Sequence, residues 1–346
     1  MNVHRWTLTA LALGFLVATA PLALAQEEGD PDYIPDDVTK TDEEKKTGWM
    51  PMLSLSANLA LNGTKNVVGT EDGLTMNAGF LLNGGLGYLS ENGVHEWSNQ
   101  LSWGLGYTRT PSIPKFAKSL DALDFKTSYL IHPIPAPWIG PFVSFNLKSS
   151  VFKGYALSGA DVTVVRLDLD GVEESREEIE AAEAIALTKA FAPTQMRQSI
   201  GAYAIPVNKT ALRLDLRLGV GAWETFVADG YTVSDNEDTE ELELVALQDS
   251  VQVGAEFGLV ATGTVKEFFT WTGRLALMQP FVHNAETDLT GLKLLNTEAE
   301  ALLGFKLTKW MSIDYQLKAY RYPLVLDAWQ VQNGLLISFT ANFIGG

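Results

Sequence analysis

Cysteine is absent from this chain of 346 residues, which excludes disulfide bonds, thiolate metal sites and a lipid-modified N-terminal cysteine. Histidine is nearly absent: the four in the sequence are His4, His95, His132 and His283. None of the last three shares a predicted strand face with a nearby serine nucleophile, and no G-x-S-x-G motif is present. We therefore predict no catalytic residues, no metal and no cofactor.

Positive charge is scarce, with 25 lysines and arginines against 42 acidic residues and a formal net charge of −17. Two segments, 26–47 and 224–248, hold much of the excess, and acid-rich segments are typical of solvated chain. The sign disfavours nucleic acid as a partner. Acidic side chains in the second segment leave a surface hydrolase or a weak cation site as minor alternatives, and these side chains are Asp229, Asp235 and Asp238.

Long apolar runs are missing after residue 25. The one run, 6–24, follows the basic start MNVHR and ends on Ala23-Leu24-Ala25 before Gln26. This pattern predicts a cleaved export signal over residues 1–25, with an uncleaved membrane anchor as the alternative. The prediction continues with a disordered acidic periplasmic tail over 26–47 and a single barrel domain over 48–346.

Apolar residues recur at every second position in that domain, as in ALRLDLRLGV, residues 211–220. About a dozen such segments (roughly 10–14) occur, joined alternately by compact turns and longer polar loops. The longest loops are 152–193 and 224–248. The segment EESREEIEAAEAIALTKA, residues 173–190, has the composition of a short helix.

Aromatic residues decide between a soluble β-sandwich and a membrane barrel, because two girdles around an apolar band are typical of barrels in lipid. We expect a transmembrane up-and-down antiparallel β-barrel of about twelve strands, with short periplasmic turns and longer extracellular loops. The turn-side girdle is predicted at Trp49, Tyr88, Trp97, Trp138 and Trp310, and the loop-side girdle at Tyr107, Trp223, Phe281, Tyr320 and Trp329.

The polar face of each strand then lines the lumen. Seven bases and seven acids are predicted there, and an expected cross-strand pair joins Glu298 to Lys318. Two interpretations are open. These charges either form ion pairs that stabilise the barrel wall, or they form a constriction that guides a polar solute. The candidates are Lys126, Lys148, Arg197, Arg213, Arg217, Arg274, Lys318, Glu96, Asp124, Asp215, Glu256, Glu298, Glu300 and Asp314.

The C-terminal residues Gln332-x-Gly334-x-x-Ile337-x-Phe339, with Phe343 beyond them, resemble the β-signal of bacterial outer-membrane proteins. The segments from Gly48 to Tyr155, which include GWMPMLSLSANLAL and Asn83-Gly84-Gly85, are similar to an uncharacterised outer-membrane family, a domain of unknown function. The resemblance implies outer-membrane lipid and lipopolysaccharide as surroundings and the barrel-assembly machinery as a partner. It implies no activity.

Together these features predict a Gram-negative outer-membrane protein that acts as a narrow passive channel for small polar solutes. The alternative is a structural or adhesive barrel with a filled lumen, whose acidic loops bind. The oligomeric state is left open by the sequence.

Overall fold

The computed structural model describes the chain from Thr47 onward, in the segments 47–64, 73–111, 113, 115–169, 171–233, 239, 241–266, 268–285, 287, 289–308, 311–324 and 326–344. The predicted export signal and nearly all of the predicted acidic tail lie outside the described residues. No helix in the described segments is long and apolar enough to cross a membrane.

Twelve antiparallel strands form one closed barrel. Their bounds are β1 Gly48–Thr64, β2 Gly73–Leu89, β3 His95–Arg109, β4 Ala117–Ile131, β5 Ile139–Ser149, β10 Thr194–Lys209, β11 Leu212–Phe226, β14 Ser250–Val265, β15 Phe269–His283, β16 Asn296–Lys306, β17 Met311–Tyr322 and β18 Leu326–Ile344.

The first and last strands close this barrel. Leu53 lies opposite Ile344 and Ala57 lies opposite Phe339, so neither strand is left as a free edge along that stretch. Each of the other strands pairs with its chain neighbours among the twelve, as an up-and-down barrel requires. The predicted fold class and strand number are confirmed.

The connections differ in length at the two ends. One end, the turn end, has the short connections 90–94, 132–138, 210–211, 266–268 and 307–310. The opposite end, the loop end, carries among others 110–116, 150–193, 227–249 and 284–295. The chain therefore concentrates its non-barrel residues at one end.

Aromatic residues on the outer surface lie at both ends of the strands. At the turn end, Trp49 packs against Tyr88 at 4.9 Å and against Trp97 at 6.1 Å between ring centroids. Trp49 and Trp138 are more than half exposed, as are Phe281 and Trp329 at the loop end.

Two predicted girdle residues lie inside the barrel instead. Tyr320 is 4% exposed and packs on Tyr322, which is also buried. Trp223 donates its indole N–H to the buried carboxylate of Glu256. Both residues lie on the polar face of their strand. Their place in the alternation, and not their aromatic character, therefore decides that they point into the barrel. Trp310 lies outside the described residues.

The two longest loops fold into small sheets. The first contributes β6 Gly154–Leu157, β7 Val162–Leu167, β8 Glu173–Ile179 and β9 Ala184–Thr188, and the second contributes β12 Tyr231–Val233 and β13 Leu242–Ala246. The helix predicted within 173–190 is wrong. Those residues form β8 and β9, because pairing of β8 with β7 and of β9 with β6 overrides the helical propensity of a Glu-rich segment.

One of these sheets joins the two loops. Strands β7 and β13 pair in parallel, and the sheet order is β12-β13-β7-β8. Its apolar core includes Val164 and Leu244, both fully buried, together with Ile185 from β9. The second acidic segment is thus anchored, where the sequence predicted solvated chain.

Ion pairs cross between the same two loops. Arg176 contacts Glu241, and Lys189 contacts Asp229 at 2.8 Å. The hydrogen bond from Lys189 lowers the pKa of the Asp229 carboxyl, and a hydrogen bond from Arg176 lowers the pKa of Glu173. These groups are exposed, so the pairs add specificity more than stability.

Candidate functional site in the barrel lumen

Strand β11 shows how the lumen acquires its charges. Arg213, Asp215 and Arg217 are 2%, 1% and 1% exposed, whereas Leu212 before them and Leu218 after them are 38% and 65% exposed. Successive side chains of a strand point to opposite faces, so the alternation places charge inside and leucine outside. Arg213 donates a hydrogen bond to Asn208, at 2.9 Å.

An ion pair crosses the lumen near the loop end. Arg197 on β10 lies 2.8 Å from Glu298 on β16, and three strands separate β10 from β16 in the barrel wall. Tyr322 donates its hydroxyl to the same carboxylate. The Arg197 guanidinium also lies 3.9 Å above the Trp223 ring, a cation–π geometry.

Glu256 on β14 joins this network. It accepts a hydrogen bond from the Trp223 indole at 2.6 Å and another from the Ser199 hydroxyl. Its carboxylate passes over Gly221 of the intervening strand β11, where a Cβ would lie 2.3 Å from it. A side chain at Gly221 would displace Glu256, so glycine is needed at this close approach. These residues form what we term the loop-end network: Arg197, Ser199, Trp223, Glu256, Glu298 and Tyr322.

A second group fills part of the lumen at the turn end. Leu130, Phe142, Tyr203, Ile205 and Val260 form a buried apolar cluster from the four strands β4, β5, β10 and β14. Arg217 lies over the Phe142 ring, at 4.9 Å, and donates to Ser128 at 3.3 Å across two intervening strands. We call this set the turn-end cluster. It leaves little open space along that side of the barrel.

The turn-end cluster continues into a hydrogen-bonded chain that sequence reasoning missed. His132 Nε2 donates to the Glu96 carboxylate at 2.9 Å, and the Tyr203 hydroxyl contacts His132 Nδ1. All three side chains are buried. This fits a structural role, in which the hydrogen bonds hold the 132–138 turn against the barrel wall, better than a catalytic role. The only sign of this chain in the sequence was the position of His132 directly before Pro133.

An open cavity of about 280 Å³, the lumenal cavity, is lined by residues of β2, β3, β4, β5, β10, β15 and β17. Strands β15 and β17 contribute Arg274, Gln316 and Lys318, whereas β2, β3 and β4 contribute a mixture of small, apolar, amide and charged residues. Its polar lining comprises Asn83, Gln100, Ser102, Asp124, Lys126, Lys148, Ser149, Gln195, Arg274, Gln316 and Lys318.

Two carboxylates organise the bases around this cavity. Asp124 lies 3.2 Å from Lys126 and 3.9 Å from Lys148. Glu300 lies 3.5 Å from Arg274 and accepts a hydrogen bond from Gln316. Predicted lumen residues from four strands are thus brought together at one place.

The strand register differs from the expected one at β16 and β17. Glu300, not Glu298, lies opposite Lys318, and Glu298 lies opposite Tyr320. Lys306 lies opposite Ser312 at the start of this pair of strands, and this register carries through to Glu300 and Glu298. Glu298 instead meets Arg197 across the lumen.

The remaining candidates lie apart from the lumenal cavity or outside the described part of the chain. Asp314 accepts a hydrogen bond from Ser312, at 2.8 Å, near the turn end. Asp235 and Asp238 lie outside the described residues. Within the described segments, no group of three or more His, Asp or Glu side chains is placed to hold a metal ion.

The predicted assembly signal falls on β18. It pairs with β17: Gln332 lies opposite Lys318, Gly334 opposite Gln316 and Ile337 opposite Ile313. Phe339 lies opposite Met311 on one side and Ala57 on the other. The segment therefore occupies the seam that closes the barrel. Phe343 belongs to the same strand.

Comparison with known proteins gives distant likenesses only. No family model and no curated protein matches the chain, so the resemblance of residues 48–155 to an uncharacterised family stays a prediction. An outer-membrane channel from Pseudomonas putida F1 is 9% identical, with 86% of this chain and 97% of that chain covered and a TM-score of 0.38.

Two further solved structures give similar values. The translocator domain of the autotransporter NalP from Neisseria meningitidis is 8% identical, with coverage of 86% and 90% and a TM-score of 0.38. The CymD monoaromatic hydrocarbon channel is 9% identical, with coverage of 87% and 90% and a TM-score of 0.36. Identities and TM-scores this low assign no function to the chain.

Proposed function

We propose that this chain is a Gram-negative outer-membrane protein that acts as a narrow passive channel for small polar solutes. The outer face of the barrel supports the membrane location. Ile200, Leu218 and Phe281 are each more than 60% exposed there, while charged side chains of the same strands are buried inside. A closed wall of this kind is unfavourable in water and suits a lipid bilayer, where it leaves no unpaired strand edge.

The observation that carries the channel proposal is the lumenal cavity. It is open, and most of its lining residues are polar or charged. A lumen with water-sized space and polar walls can pass small hydrated solutes, whereas one packed throughout cannot. The proposal assigns no catalytic step, cofactor or metal.

The proposal also covers export and assembly. Residues 1–25 direct export, lipid and lipopolysaccharide surround the barrel, and the barrel-assembly machinery reads the β18 segment. The loop sheets lie at the end that carries the long connections, which corresponds to the outside of the cell in barrels of this topology.

A structural or adhesive barrel is the second candidate. The turn-end cluster favours it, because Leu130, Phe142 and Tyr203 are buried to 1% exposure or less inside the barrel. In that case the joined loop sheets would carry the binding function and the lumen would conduct nothing.

Planar-bilayer recordings separate the two candidates. We expect discrete, single-sized current steps from the purified protein, after heat-modifiable migration in a gel has shown that the barrel is folded. The steps should be smaller than those of wide porins, because the loop-end network and turn-end cluster narrow the lumen. Folded protein that inserts and gives no steps would support the structural barrel and contradict the channel.

A further inference from the structure

We propose that the lumenal cavity binds a small organic anion, one that carries a carboxylate at one end and a short apolar group at the other. This inference rests on the proposed function, because it requires that solvent reaches the cavity. It adds the class of solute that the cavity binds. Two features of the cavity carry it: a local excess of positive charge and an apolar wall opposite that charge.

The charge excess is local to the cavity. Lys126, Lys148, Arg274 and Lys318 line it, while Asp124 lines it and Glu300 stands directly behind Arg274. Four bases thus meet two acids, although the predicted lumen as a whole is balanced. The other predicted lumen acids lie elsewhere, for example Glu256 and Glu298 in the loop-end network.

The neighbouring strands do not offset this excess. By sequence, β1 and β2 contain no charged residue, and β18 contains only Asp327, next to its loop-end start. A net positive cavity bounded by low-dielectric walls attracts anions and repels cations, as rings of Lys and Arg do in anion-selective pores.

The apolar wall consists of Leu81, Leu120 and Ala122. Leu81 and Leu120 are 39% and 38% exposed although they line the lumen rather than the outer surface. Gly104 lies between them: a Cβ there would be 3.1 Å from Leu120 and 3.7 Å from Leu81. Glycine at this position keeps the two leucines facing open space.

Leucine exposed to lumenal water is unfavourable, and covering it with an apolar group of a ligand is therefore favourable. The cavity volume of about 280 Å³ is close to the lower end of ligand pockets. A compact anion with one ring or a short chain therefore matches both walls, with its carboxylate toward Lys148 and Lys318 and its apolar part toward Leu120.

Three probes of the same size test the charge requirement: benzoate, benzyl alcohol and benzylamine. We would measure their binding to the full folded protein in nanodiscs by saturation-transfer NMR with concentration series. Benzoate is expected to bind most tightly, benzyl alcohol more weakly, and benzylamine not measurably. Equal or tighter binding of benzyl alcohol or benzylamine would overturn the proposal.

A pair of double variants places the site. Lys148→Gln with Lys318→Gln removes two charges from the cavity and should weaken benzoate binding roughly tenfold or more. The matched control, Lys209→Gln with Lys293→Gln, removes two charges from exposed positions, one at the end of β10 and one in the loop before β16, and should leave binding unchanged. Unchanged benzoate binding in the first variant, shown to be folded by heat-modifiable migration, would contradict the assignment.

The outcomes for the anion site and for the channel are separable, because binding is measured without any current. Benzoate binding with no current steps would keep the anion site and overturn the channel. Current steps without benzoate binding would keep the channel and overturn the anion site.

Discussion

Replacing Arg197 with alanine is expected to lower the free energy of unfolding by about 3–5 kcal/mol, the largest stability effect in the lumen. The reason is the partner that remains. Glu298 is 0% exposed, and its carboxylate would lose the guanidinium that lies 2.8 Å from it. A buried carboxylate would then remain without this cation. Arg197→Ala also removes the stacking of the guanidinium on Trp223.

Denaturant unfolding in lipid vesicles measures this loss of stability. Two further variants serve as controls. Arg176→Ala breaks ion pairs in the loop sheet, but its side chain is 45% exposed, so it should cost far less stability than Arg197→Ala. Arg197→Met combined with Glu298→Leu removes both charges and should recover most of the loss. An Arg197→Ala protein that unfolds at the same denaturant concentration as Arg176→Ala would show that this pair does not hold the lumen together.

The second large effect is expected on assembly. Phe339→Ala together with Phe343→Ala should abolish folded protein in the outer membrane, because both residues lie on the strand that closes the barrel. An unclosed barrel leaves strand edges unpaired in lipid, where each unpaired backbone group costs several kcal/mol. Cell fractionation with heat-modifiable migration measures the folded fraction.

A matched control separates the assembly signal from a simple loss of aromatic surface. Phe281→Ala with Phe305→Ala removes two exposed phenyl groups from β15 and β16 and leaves β18 intact. This control should reach the membrane at close to the parent level. Normal membrane levels of the Phe339→Ala, Phe343→Ala protein would mean that the β18 segment is not an assembly signal.

Strand number and face were predictable from sequence because they depend on a local pattern. Alternation in ALRLDLRLGV places Arg213 and Leu212 on opposite faces whatever the rest of the chain does. The same rule, applied strictly, would have placed Trp223 and Tyr320 in the lumen. We instead assigned them to the girdle by residue type, and that assignment was wrong.

Partners across the lumen were not predictable, because they depend on how twelve strands are staggered around the barrel. Glu298 meets Arg197 from a strand four positions away, and no local spacing relates the two residues. The loop sheet is a similar case. Parallel pairing of β7 with β13 joins segments about 80 residues apart, so the Glu-rich β8 could be read only by its helical composition.

The lumenal cavity was anticipated only in outline. The sequence predicted that Lys126, Lys148, Arg274 and Lys318 face the lumen, but not that they meet at one cavity. Its apolar wall was not anticipated. Leu81 and Leu120 stand on strands rich in leucine, where the inward-facing members carry no distinguishing signal.

The most direct test of the account is whether the lumenal cavity lies on the conducting path. The chain has no cysteine, so Ser102→Cys introduces a single thiol into the cavity wall, and Leu218→Cys introduces one on the outer face. Single-channel current would be recorded before and after addition of a charged, water-soluble methanethiosulfonate reagent. We predict that the current through Ser102→Cys channels falls after the reagent is added while Leu218→Cys channels are unaffected. Unchanged current through Ser102→Cys channels, with labelling of the thiol confirmed by mass spectrometry, would contradict a conducting path through this cavity.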